Sequence, residues 1–169
     1  MDGNNVLHAH PAYRRLLDDD FESARARFVS DLGGHAHAGL RIVVVFDGGG
    51  APGSDGTPHH LGPLTIIFSP SGTDADTVIE GLAARSRSRG ESAVVVTSDS
   101  ATRNAVASGS VTVRSSQGFV DDMIAEAADR DGHRSSGVGR VTLGARVESG
   151  VAEALARWAR GDAPGPPAR

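Results

Sequence analysis

A chain of 169 residues suits one domain with a buried core, and its 38% hydrophobic and 22% charged content belongs to a soluble globular protein. The absence of cysteine excludes disulfides, zinc–thiolate sites, iron–sulfur clusters and cysteine nucleophiles, and the longest apolar run, residues 42–46, is far short of a membrane span. The formal net charge of −4, with every basic residue an arginine, argues against a nucleic-acid coat protein but not against an enzyme that gathers carboxylates around metal ions.

In chain order, Asp20 is placed to cap a helix whose apolar positions are Phe21, Ala24, Phe28 and Leu32. Residues 41–46 (RIVVVF) read as a buried strand, being short, rich in valine and free of polar alternation. Residues 48–63 carry so much Gly and Pro that they read as a long mobile loop. A second buried strand follows at residues 64–68 (LTIIF). Ala75, Val78, Ile79, Leu82 and Ala83 then give the stripe of a helix lying on a sheet. A third strand is expected at residues 93–97 (AVVVT), a helix at 101–107, a short strand at 111–113, and a helix after Ser116 with Phe119, Met123, Ile124 and Ala127 as its apolar positions. A last helix covers residues 147–160, with Val151, Leu155 and Trp158 on one face, and residues 161–169 read as a disordered tail. Strands alternating with helices imply a mainly parallel sheet covered on both faces. In such sheets chemistry sits just beyond the carboxyl ends of the strands.

Acids stand at those strand ends. Asp47 follows VVVF, Asp74 and Asp76 open the helix after LTIIF, Asp99 follows AVVVT, and Asp2 lies in the opening DGNNV. One aspartate after a strand means little. Several converging on one sheet edge need something to offset their repulsion, and Mg²⁺ or Mn²⁺ does so with oxygen ligands.

The opening MDGNNV, then VVVFDG, SGTDADTVIEGLA, VVVTSD and SSQGFVDDM resemble, in that order, the YacP-like NYN domains. The resemblance covers roughly residues 1–130, taken as the nuclease domain, with 131–160 an extension packed on it. It implies a PIN-like three-layer α/β/α fold and a Mg²⁺- or Mn²⁺-dependent endoribonuclease, with messenger or ribosome-associated RNA as partner. A cytoplasmic location is expected by default, because no membrane span or signal-peptide pattern is read in the sequence. By motif, Asp2, Asp76 and Asp99 match catalytic and metal-binding acids, with Asp74 beside them as a further metal ligand. Asn5 matches a supporting polar residue, Asp47 an acid that shapes the pocket, and Ser98 belongs to the TSD motif. One departure stands out. In the family a buried strand precedes the first aspartate, and here only Met1 does. The first strand is therefore expected to be truncated, Met1 to lie beside the middle of the sheet, and the protein to be poorly stable.

Plainer readings compete. Asp74 and Asp76 can simply cap a helix, since Thr73 followed by Asp76 imitates a capping box, and Asp99 can cap the helix after it. Asp18–Asp20 and Asp121–Asp122 read as solvated charges, and Arg85, Arg87 and Arg89 as a solvated face. His8/His10 and His35/His37 have chelating spacing but lie in loop-like stretches without a third ligand. Arg103, four residues past Asp99, is placed to touch a phosphate. The alternative to an endoribonuclease is a non-catalytic RNA- or ribosome-binding module of the same fold.

Overall fold

The computed structural model describes residues 1–35, 40–134 and 142–161. Its strands are β1 (Ile42–Phe46), β2 (His59–Leu61), β3 (Leu64–Phe68), β4 (Ala93–Val96) and β5 (Val111–Arg114). The helices are α1 (Gly3–Ala9), α2 (Pro11–Leu17), α3 (Phe21–Gly33), α4 (Ala75–Ser88), α5 (Ser100–Val106), α6 (Ser116–Arg134) and α7 (Thr142–Ala159). Among the described residues no helix is long and apolar enough to cross a membrane.

β1 and β3 pair in parallel with Val44 beside Ile66, and β4 and β5 pair in parallel with Val95 beside Val113. Between these two ladders runs a slot, and the first two residues of the chain fill its carboxyl end. The Met1 ammonium donates to Val43 O at 2.7 Å, Val45 N–H donates to Met1 O at 2.9 Å, and Asp2 N–H donates to Val96 O at 2.9 Å. Asp2 thus bridges in parallel to Val45. Met1 and Asp2 join the order β2-β3-β1 to β4-β5, so Met1 lies in mid-sheet, where a truncated first strand places it.

Each face of the sheet carries its own core. Val44, Phe46, Ile66, Phe68 and Val96 point toward α1, α3, α6 and α7 and pack on Val6, Leu7, Phe28, Leu32, Val120 and Leu155. Val45, Ile67 and Val95 point the other way, onto Ala75, Ile79, Ala83 and Val106 of α4 and α5. This is the three-layer α/β/α arrangement expected from uninterrupted apolar strands.

The structure corrects several readings of the sequence. The Gly- and Pro-rich residues 48–63 do not run wholly as a loop: they include β2, an antiparallel edge strand on β3 with His59 beside Ile66. His8 and His10 do not lie in a loop-like stretch either. They sit on α1 and at the junction of two short helices, where His10 ends α1 and its Nδ1 accepts from Ala12 N–H at 3.2 Å to cap α2. Pro11 occupies the first helical turn of α2, where its missing N–H costs nothing. Asp74, not Thr73, caps α4. Arg87 is only half-exposed and donates to Val106 O at 2.8 Å, tying α4 to the end of α5. α7 starts at Thr142, five residues before the expected 147. His37 and residues 162–169 lie outside the described residues.

Candidate functional site

The carboxyl edge of the sheet is built from helix caps. Asp2 caps α1 by accepting from Asn5 N–H at 2.9 Å, and the Asn5 side-chain amide donates both to Asp2 Oδ2 and to Thr97 Oγ1, the latter at 3.1 Å. Thr97 Oγ1 also accepts from Asp99 N–H at 3.1 Å. Asn5 therefore latches the first acid to the end of β4. Asp99 caps α5 through Thr102 N–H at 2.7 Å, and Asp74 caps α4 through Thr77 N–H at 2.8 Å. The bland reading of Asp74 and Asp99 as caps is thus met in geometry, and each keeps one carboxylate oxygen outside that cap bond.

Asp47, like Asp2, has both carboxylate oxygens engaged. Its Oδ1 accepts from Ala75 N–H at 2.8 Å and its Oδ2 from Asn4 Nδ2 at 2.8 Å. It thus joins the start of α4 to α1. Asn4, which the sequence reading passed over, is the other new member of the edge. Its Oδ1 is buried without a partner.

Asp76 differs from the rest. It caps nothing, and its Oδ1 is buried with no hydrogen-bond partner. Burial raises its pKa above the ordinary carboxylate value; a Thr102 hydrogen bond opposes this, and the charges of Asp99, Asp74 and Asp47 add to it. The Asp2 pKa is also raised, first by burial at 5% exposure, against the Asn5 hydrogen bond, with Asp76 and Asp47 raising it further. Asp74 and Asp99 are shifted the other way, lowered by their hydrogen bonds to Thr77 and Thr102. Asp76 consequently lies within electrostatic reach of Asp2, Asp47, Asp74 and Asp99. The arrangement divides the acids into two that resist ionisation and two that favour it.

Ser98 is exposed, and Arg103 is exposed one turn beyond Asp99 on α5. Among the described residues, no group of three or more His, Cys, Asp or Glu side chains is gathered so as to hold a metal ion. His8 and His10 take no part in the edge: His10 stacks on Tyr13 with centroids 4.0 Å apart, while His8 is exposed.

The chain matches the family described as YacP-like NYN domain over residues 1–160. Two crystal structures of Rae1 (YacP) from Bacillus subtilis share its fold. A Trp-to-Leu mutant gives a TM-score of 0.62 at 22% identity, covering 91% of this chain and 96% of that one. A second structure gives 0.57 at 23% identity, covering 95% and 93%. At such identities the likeness speaks for the fold alone. None of the curated proteins matches the chain.

Proposed function

The chain belongs to the YacP-like NYN family, a nuclease-like and RNA-related group, and from that premise we propose that it is a cytoplasmic, metal-dependent endoribonuclease working at the Asp76 edge. The observation that carries this is the Asp76 Oδ1 atom, a buried acceptor without a donor in the field of four other acids. An unmet buried acceptor costs about 1–3 kcal/mol, and like charges around it add to that. A cation relieves both at once.

The donor set fits Mg²⁺ or Mn²⁺, being all hard oxygen. Mg²⁺ keeps several waters and takes only one or two protein carboxylates, so a tight three-ligand cage is not needed. Asp76 and Asp99 would hold it directly, with Asp2 and Asp74 reaching it through its retained waters. Once bound, the ion would supply an activated water and neutralise charge at the leaving oxygen. Asp47 does not serve as a ligand in this reading: it holds the α4 N-terminus in place so that Asp76 faces the edge. Asn5 keeps Asp2 oriented through Thr97. Arg103 is free to contact a phosphate beside the scissile one.

The test is cleavage of single-stranded and structured RNA by the full chain. Cleavage is expected with Mg²⁺ or Mn²⁺, to leave 5′-phosphates and to stop in EDTA. Asp76→Asn and Asp99→Asn should each lower the rate by at least about a hundredfold while RNA binding survives. Equal cleavage in EDTA would overturn the assignment. A second reading, an RNA-binding module without chemistry, is favoured by one observation, the lack of a preassembled three-ligand group among the described residues. RNA binding without metal-dependent cleavage would select it.

A further inference from the structure

Arg25 is an arginine in the wrong place for a soluble helix. It follows Ala24 on α3, and its side chain is only 7% exposed. Three aromatic rings surround the guanidinium, with centroids 4.9 Å (Phe21), 5.2 Å (Phe46) and 5.1 Å (Phe68) from its central carbon. Its ion-pair partner is Glu22, one turn back on the same helix and 49% exposed. The Nε atom is buried and has no acceptor.

A cation buried for structural reasons alone normally has its donors met. Here one donor is orphaned, and the other side is covered by a half-exposed carboxylate. Such a solvent-side pair is weak and easily exchanged. The rings hold the guanidinium without using its N–H donors, of which Nη2 is taken by Glu22 and Nε is left buried and unmet. A planar, desolvated fork is suited to two parallel bonds to a phosphate.

The position is informative too. Phe46 and Phe68 are the last residues of β1 and β3 and lie side by side in register. Phe46 is followed at once by Asp47. Arg25 therefore lies over the carboxyl end of the β1/β3 pair, on the face of the sheet that α3 covers.

We infer that Arg25 is a phosphate subsite, taking a backbone phosphate of bound RNA next to the one at the acidic edge, and that Glu22 occupies it in the free protein. This rests on RNA being the partner, but not on cleavage. Charge balance is kept: one anion leaves the guanidinium as another arrives, and the released Glu22 carboxylate passes into water.

The experiment measures binding of a labelled single-stranded RNA to the full chain in EDTA, by anisotropy, across a salt series. Arg25→Met should weaken binding about tenfold and flatten the salt dependence by about 0.7 in log–log slope, one phosphate contact. Glu22→Gln should tighten binding about threefold or more, beyond any gain from the control Asp19→Asn, and that gain should vanish in the Arg25→Met background. Melting curves check the fold. If Arg25→Met is unfolded, Arg25→Lys replaces it, keeping the charge and losing the fork, with the same loss of coupling expected. A Glu22→Gln gain that equals the control, or persists without Arg25, overturns the inference. If the wild type binds no RNA at all, the functional reading falls with it. If RNA binds and metal-dependent cleavage occurs but the cycle shows no coupling, only the Arg25 inference falls.

Discussion

The Oδ1 atom of Asp47 lies 2.8 Å from the backbone nitrogen of Ala75, so the acid ending β1 caps a helix that starts 28 residues later. The other oxygen holds Asn4 of α1 at 2.8 Å. One carboxylate thus fixes α1 and α4 at the same edge, and Asp76 follows Ala75 directly. Asp47→Ala should lose the cap and leave the buried Ala75 amide unmet, costing about 1–3 kcal/mol. Asp47→Asn keeps an acceptor for Ala75 and should cost clearly less. Urea midpoints of the two variants decide this. Equal losses would mean that the cap is not what Asp47 contributes.

Gly3 is a second point where the edge depends on a close approach. A Cβ there would run into the ring of Phe46, which is fully buried. The ring is packed between Phe28 (edge-on, 6.3 Å) and Phe68 (stacked, 6.0 Å), so it has little room to give. Gly3→Ala is expected to cost about 1–3 kcal/mol through overpacking, despite alanine's better helix propensity. It should also shift Asp2, the adjacent cap, and so weaken any metal-dependent stabilisation. A variant as stable as wild type would show that α1 can slide freely.

The far end of the chain anchors β2. Trp158 is 4% exposed and stacks on His59 with centroids 4.8 Å apart and planes 13° from parallel. His59 in turn leans on Phe68 at 6.2 Å. Trp158→Ala should cost about 3–5 kcal/mol, the range for deleting a buried large aromatic. Hydrogen exchange should speed up first in β2 and the adjoining loop, because that edge strand has only β3 on one side and α7 behind it. Uniform loss of protection across β1 and β3 would show that α7 supports the whole sheet instead.

How much of this was legible beforehand depended on the range of the interaction. β1, β3 and β4 could be read because strands buried on both faces need unbroken apolar runs, and α4 because its stripe repeats over a long helix. α1 and α2 escaped because each has only seven residues, α1 being rich in Asn, His and Gly and α2 opening on Pro11, so capping and tertiary contact decide them. β2 escaped because a three-residue edge strand carries almost no pattern of its own. The acids at the strand ends were visible as residues, and their grouping followed from the parallel-sheet rule. Their division was visible only through the family motifs, because residue type and spacing do not separate Asp47 from Asp76; in the structure the Ala75 amide, the Asn4 amide and the unpaired Oδ1 do. Arg25 was equally hidden, since its burial depends on Phe46 and Phe68, far along the chain.

The sharpest consequence concerns Asp76 without metal. Two effects compete there. The first turn of α4 favours a negative charge, typically by a few tenths of a kcal/mol to 1 kcal/mol. Burial and the charges of Asp99, Asp74 and Asp47 disfavour it more than the Thr102 hydrogen bond favours it, so the pKa is raised. A carboxyl whose folded pKa lies above its unfolded value, about 3.9, favours folding most below that value. The favour is lost as pH rises through the folded pKa, because the native state must then ionise it against its neighbours. Asp76→Asn removes that penalty. In EDTA the variant should melt above wild type at pH 7, and the gap should close as pH falls toward 3. Adding Mg²⁺ should raise the wild-type melting temperature and leave the variant nearly unmoved, since the cation relieves the strain that the substitution has already removed. Thermal melts at pH 3, 5 and 7, with and without Mg²⁺, test both halves. A variant that melts below wild type at pH 7 in EDTA would mean that the helix N-terminus outweighs the surrounding acids, and that Asp76 is a comfortable cap-turn residue with no strain for a metal to relieve.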